Sequence, residues 1–108
     1  MTDNIILVND FNFKSEVTDY QGFTLVDFWA EWCKPCKSLI PYIEQLARDK
    51  KNKIKVCKFN IDEGSEMLSK YGIQSIPTLI IFQNGKEIAR KIGIINDLSN
   101  WIDSKINQ

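Results

Sequence analysis

No histidine occurs in the 108 residues, and that absence removes a large part of enzyme chemistry. Histidine is the side chain whose unperturbed pKa lies nearest neutrality. Imidazole acid–base catalysis and imidazole metal ligation are both excluded. Cysteine is scarce, at three residues. A structural zinc site takes four ligands, normally Cys or His, which three thiols cannot supply, so no metal site is expected. Nor do three cysteines make the disulfide framework of a small secreted domain. Charge of one sign is missing as well, with Lys plus Arg equal to Asp plus Glu at 14 each. A net charge of zero supplies no field to draw the chain to nucleic acid or an anionic membrane. No apolar run approaches the roughly 20 residues of a membrane span. Ile5 to Val8 is too short for the apolar core of a leader, and Met1-Thr-Asp-Asn has no basic flank. A cytoplasmic location is the expectation. No linker, repeat or low-complexity stretch interrupts the chain, so residues 1–108 read as a single domain.

What is present centres on residues 24–37, Thr-Leu-Val-Asp-Phe-Trp-Ala-Glu-Trp-Cys-Lys-Pro-Cys-Lys. Leu25, Val26, Phe28 and Trp29 form a nearly continuous apolar run, as in a strand buried on both faces. Pro35 suits the first turn of a helix, where its missing N–H costs nothing. From there Cys36, Leu39, Ile40, Ile43, Leu46 and Ala47 recur at helical spacing on one face. Cys36 thus belongs to a buried stripe. Cys33 is expected just before the helix, at its exposed, partly positive end. Free N–H groups there stabilise a thiolate and lower its pKa, which makes Cys33 the nucleophile and Cys36 the resolving thiol. Lys34 and Lys37 add positive charge, screened by salt.

The rest of the chain supplies alternating strands and helices. Residues 4–8 form a strand. Asp10 or Asn12 is placed to cap a helix carrying Phe13, Val17 and Tyr20. The long helix, 34–50, contains Pro41, which is expected to kink it. A strand over 54–61 follows, then a short helix with Met67, Leu68 and Tyr71. Residues 78–82 form another strand, and Asn84-Gly85 signals a hairpin into 86–92. Gly93 breaks that strand, and Asn96 or Asp97 starts a last helix with Leu98, Trp101 and Ile102. The order β-α-β-α-β-α-β-β-α calls for a mixed central sheet with helices on both faces.

A Cys-x-x-Cys pair can be half a zinc site, a redox couple or an accident. On a strand-to-helix junction within βαβ it reads as a redox couple. Asp27, inside a buried strand, costs free energy unless protonated or paired, and desolvation should raise its pKa. It is a hydrogen-bonded structural carboxylate, a carboxylate at a solvent-facing strand position, or a proton acceptor for Cys36. Lys58 alternates with Val56 and Ile54; it either points to solvent or shares the layer of Asp27. Base rates make the Ile76–Pro77 bond trans. Trp32, outside the strand pattern, reads as surface. Gly93 is either a strand terminator or a place where another backbone comes close. Cys57 reads as a buried, inert thiol.

The segment Phe28-Trp-Ala-Glu-Trp-Cys-Lys-Pro-Cys-Lys37 resembles the active-site segment of thioredoxins, and the resemblance extends over essentially the whole chain. It departs in one place: Lys34 stands where the family usually has Gly. The resemblance implies an α/β, three-layer fold with a mixed five-stranded sheet and four helices. It implies a protein-disulfide reductase with a reversible Cys33–Cys36 couple and Asp27 as buried general acid/base. Lys58 would tune that acid. Ile76 and a cis Pro77 would meet the substrate backbone, with Trp32, Gly93 and Ile94 around it. No bound cofactor is implied. Electrons would come from NADPH through a thioredoxin reductase and pass to targets such as ribonucleotide reductase, peroxiredoxin or methionine sulfoxide reductase. A monomer is expected. Two other readings stand beside it: an oxidase or isomerase, motivated by Lys34, and a binding subunit that uses the same fold as a surface.

Overall fold

The computed structural model describes residues 4–93 and 96–107. The chain enters through strand β1 (Ile5–Val8) and a single π-helical turn, Lys14–Thr18. Strand β2 (Phe23–Trp29) leads into helix α1 (Lys34–Asp49), followed by strand β3 (Lys55–Asn60), a 3-10 turn at Ile61–Glu63 and the short helix α2 (Glu66–Lys70). Strands β4 (Thr78–Gln83) and β5 (Lys86–Ile92) form the hairpin, and helix α3 (Leu98–Ile106) closes the chain. The strand order is β1-β3-β2-β4-β5. β1, β3 and β2 run parallel, while β4 is antiparallel to β2 and β5 to β4.

β2 is paired along both edges and packed on both faces, so every residue from Thr24 to Phe28 is buried. That is why its sequence is a continuous apolar run rather than an alternation. One face of the sheet packs Leu25, Val56 and Leu79 against Leu39 and Ile43 of α1 and Ile102 of α3. The other packs Val26, Phe28, Phe59 and Phe82 against Phe13, with α2 lying over them through Met67 and Leu68. Phe13 meets Phe59 and Phe82 edge-on, at centroid distances of 6.3 and 5.8 Å. Burying a side chain of this kind contributes about 1.5–3 kcal/mol. This anchoring, more than backbone propensity, orders the short first turn.

The first helical element is five residues long, shorter than the 13–20 stretch suggested by Phe13, Val17 and Tyr20. Its entry is also held differently from the expected Asp10 or Asn12 cap. The Asn9 carboxamide accepts from the N–H of Phe11 and Asn12, and Asp10 reaches elsewhere. Helix α1 runs from Lys34 to Asp49 through Pro41. Asn84 and Gly85 both have positive φ, 51° and 82°, as a tight hairpin turn requires. A Cβ on Gly85 would lie 2.0 Å from the Thr18 carbonyl oxygen, so the turn is docked against the first helical element.

Candidate active site

β2 delivers the chain to the end of the sheet, and α1 begins there. Cys33 occupies the N-cap of α1 with an extended backbone, and Pro35 lies in its first turn. Cys33 and Cys36 are joined by a disulfide. The Cys33 Sγ accepts a hydrogen bond from the Cys36 N–H at 3.2 Å, satisfying one of the orphan donors of a helix start. Cys36 is 1% exposed and Cys33 6%. The expectation of an exposed Cys33 is therefore corrected: the pair packs with Ala30 and is covered by Trp29, Ile61 and Ile76. Lys34 and Pro35 are exposed.

The strands β2 and β3 carry a buried ionisable pair. Asp27 on β2 is in register with Lys58 on β3 and Leu79 on β4. Directly opposed residues share a face, and period two places this pair with Leu25 and Val56 on the side covered by α1. Asp27 is 1% exposed. Its Oδ1 accepts no hydrogen bond among the described residues. Burial pushes its carboxyl pKa up to about 7, and the Lys58 charge works against that rise. Lys58 is buried, which settles the choice between a solvent-facing lysine and one sharing the layer of Asp27. Its Nζ sits 4.2 Å from the centroid of the Trp29 ring, a cation–π contact invisible in the sequence.

The Ile76–Pro77 bond is cis, as the family resemblance implied and base rates did not. Pro77 is buried, and its carbonyl accepts the Gly93 N–H at 2.8 Å. Gly93 has φ of 87° and open space where a Cβ would project. Ile94 lies outside the described residues. Trp32 is 68% exposed and its Nε1 donates to Asp62 Oδ2 at 2.9 Å. Together with Ile61, Leu68, Ile73, Ser75 and Ile76, it lines a groove of about 330 Å³. A second groove, about 570 Å³, lies on the other side of Lys34 and Pro35, bounded by Tyr42 and Leu98. Sequence alone did not mark Ile61, Leu68 and Ile73 as groove residues: Ile61 read as the end of a strand, Leu68 as the apolar face of a short helix, and Ile73 carried no signal of its own. Cys57 is a free thiol, fully buried on the opposite face, with its pKa pushed up to about 12 chiefly by that burial. It takes no part in the pair. Among the described residues no cluster of His, Cys, Asp and Glu could hold a metal ion, and no helix is long and apolar enough to cross a membrane.

A Cys-x-x-Cys disulfide at a helix N-terminus, covered by Ile76 of the cis Ile76–Pro77 bond and preceded by a strand with a buried carboxyl, has the parts of thiol–disulfide exchange machinery. Comparison with known proteins gives it a family. The thioredoxin family model matches residues 4–104. The chain belongs to the thioredoxin family. It is similar to the thioredoxin of Pseudomonas aeruginosa, 43% identical over 98% of this chain and all of that protein. It is 48% identical to the thioredoxin of Rickettsia bellii, over 92% of this chain and 96% of that one. Buchnera aphidicola subsp. Acyrthosiphon pisum has a thioredoxin 41% identical over 97% of this chain and 99% of its own. The protein is a thiol–disulfide oxidoreductase of the protein-disulfide reductase type, and its redox-active centre is the Cys33–Cys36 pair. Members of this family generally work without a bound cofactor.

Proposed function

We propose that Cys33 is the attacking nucleophile, Cys36 the resolving thiol and Asp27 the proton acceptor for Cys36 in a general reductase of protein disulfides. The observation that carries this reading is the Cys36 N–H donated to Cys33 Sγ at the N-cap of α1. A hydrogen bond and a helix N-terminus both favour the charged form of that sulfur. In the reduced protein the Cys33 thiolate attacks one sulfur of a target disulfide. A mixed disulfide forms and the first target sulfur leaves as a thiolate. Asp27 takes the proton of Cys36, and the Cys36 thiolate attacks Cys33 Sγ. The second target sulfur leaves, two electrons have moved to the target, and the Cys33–Cys36 disulfide is left. A carboxyl with a pKa of about 7 is matched to this work, because both protonation states are populated at neutral pH. Lys58 keeps it from rising further. The intramolecular second attack makes the mixed disulfide short-lived.

The groove of Trp32 and Ile76, with Pro77 next to Ile76 in the chain and Gly93 hydrogen-bonded to Pro77, seats an extended target segment by backbone pairing and apolar contact; the family resemblance adds Ile94 to the substrate contacts. The oxidised pair is re-reduced by a thioredoxin reductase drawing on NADPH. Ribonucleotide reductase, peroxiredoxin and methionine sulfoxide reductase are the classes of target expected of a monomer working in the cytoplasm. Lys34 beside the nucleophile makes the disulfide slightly more oxidising than a Gly would, by too little to convert a reductase into an oxidase. Pro35 holds the first turn of α1 that presents both sulfurs.

The test is trapping. Cys36→Ser protein, incubated with a disulfide-bonded protein, should accumulate a covalent adduct through Cys33 that dithiothreitol releases. Cys33→Ser should accumulate none. An adduct on Cys36 in the Cys33→Ser protein, with none on Cys33 in the other, would reverse the assignment.

A further inference from the structure

Asp10 lies in the loop after β1, and it binds backbone on the far side of a long stretch of sequence. Its Oδ2 accepts from the N–H of Ser65 and Glu66, at 2.9 and 3.0 Å, and its Oδ1 from the N–H of Met67 at 3.1 Å. These are orphan donors of the first turn of α2. The local candidate, Ser65, makes no side-chain cap. The loop that presents Asp10 is itself fixed, since the Asn9 carboxamide accepts from Phe11 and Asn12. Gly64 fits closely under the contact: a Cβ there would stand 2.9 Å from Asp10 Cγ and from Phe59 Cζ. Desolvation pulls the Asp10 pKa up, but the N–H groups of Glu66, Met67 and Ser65 together outweigh it, and the net shift is downward.

Helix α2 has only five residues, too few to be stable by propensity. Yet Leu68 within it, and Ile73 just after it, form a wall of the groove beside the disulfide. The Ile73 N–H is tied back to the Leu68 carbonyl at 2.9 Å. We propose that Asp10 is a positioning residue for target binding, holding α2 so that Leu68 and Ile73 keep that wall in place. This rests on the reading of the groove as the seat of the target segment. Asp10 is not among the groove's lining residues, so it should act on the bound population of target rather than on the exchange step.

Steady-state turnover of a protein disulfide and of a small aromatic disulfide, with Asp10→Ala, Asp10→Asn and Trp32→Ala proteins, tests this. One lost cap lowers the equilibrium constant for the ordered wall about fivefold, and apparent affinity falls by at most that factor. Asp10→Ala should therefore raise KM for the protein disulfide, by at most about fivefold, with kcat, small-disulfide turnover and the Cys33–Cys36 potential unchanged. Asp10→Asn, which keeps one acceptor oxygen, should fall between; it carries the test if the alanine variant does not fold. Unchanged KM in the folded Asp10 variants, while Trp32→Ala raises it, overturns the proposal and leaves the groove reading standing. Unchanged KM in all three overturns both. A shifted potential or a fall in kcat at constant KM also overturns it, because a positioning role in binding moves neither.

Discussion

Replacing Asp27 by Asn should make the protein more stable at alkaline pH and leave it unaltered at acidic pH. The carboxyl is 1% exposed and its Oδ1 has no hydrogen-bond donor among the described residues. Burial raises its pKa from the ordinary 3.8 to about 7, with Lys58 opposing. The folded state therefore keeps this proton over a range where the unfolded chain has lost it. Stability falls wherever the folded state binds more protons. The penalty is absent below pH 3.8, grows through the window up to about 7, and is constant above it. At roughly 1.4 kcal/mol per pH unit, the full penalty is about 4 kcal/mol. A carboxamide has no such proton to lose, so the Asp27→Asn protein should gain on the parent by an amount approaching that figure at about pH 8 and should match it near pH 4. Urea unfolding of the oxidised protein at a series of pH values measures this. The other shifted groups do not confuse it: Asp10 titrates below the window, Cys57, at about 12, stays a thiol throughout, and Tyr71 and Arg90 are shifted upward from values already above it. Lys58→Met should extend the falling limb to higher pH, since it removes the charge that holds the Asp27 pKa down. Parallel stability curves for parent and Asp27→Asn across the window would refute the reasoning, because a carboxyl that titrates normally contributes no slope there.

Two further outcomes are expected. Lys34→Gly should make the Cys33–Cys36 couple more reducing by at most a few tens of millivolts, because 30 mV corresponds to about 1.4 kcal/mol and an exposed charge is worth less than that; thiol trapping in defined dithiothreitol buffers reads the shift, and a less negative potential would contradict it. Gly85→Ala should destabilise the fold by more than about 1 kcal/mol, since φ is 82° and a Cβ would collide with the Thr18 carbonyl; an unchanged urea midpoint would show that the turn does not dock there.

The expected exposure of Cys33 did not survive folding, whereas the redox pair, the class of fold and the helical stripe that carries Cys36 were legible in the chain alone. These are local matters: a Cys-x-x-Cys spacing, a helical stripe that includes Cys36, and a continuous apolar strand need only near neighbours to be legible. The lack of histidine left the proton acceptor for Cys36 open, and the family resemblance, not elimination, pointed to Asp27 in the strand before the pair. Tertiary structure decided everything that depends on register. Whether Lys58 faced solvent or Asp27 turned on the pairing of β2 with β3, which period-two alternation leaves open by one residue. The burial of Cys33 came from Ile61 and Ile76, distant in sequence and brought over it by the 3-10 turn after β3 and the loop before β4. The isomer at Pro77 followed the family resemblance, where the residues alone favoured trans. Asp10 read as a cap for the turn beside it and instead caps a helix more than fifty residues away. A carboxylate will satisfy whichever orphan N–H groups the fold brings within about 3 Å, and only the packing of the sheet decides which those are.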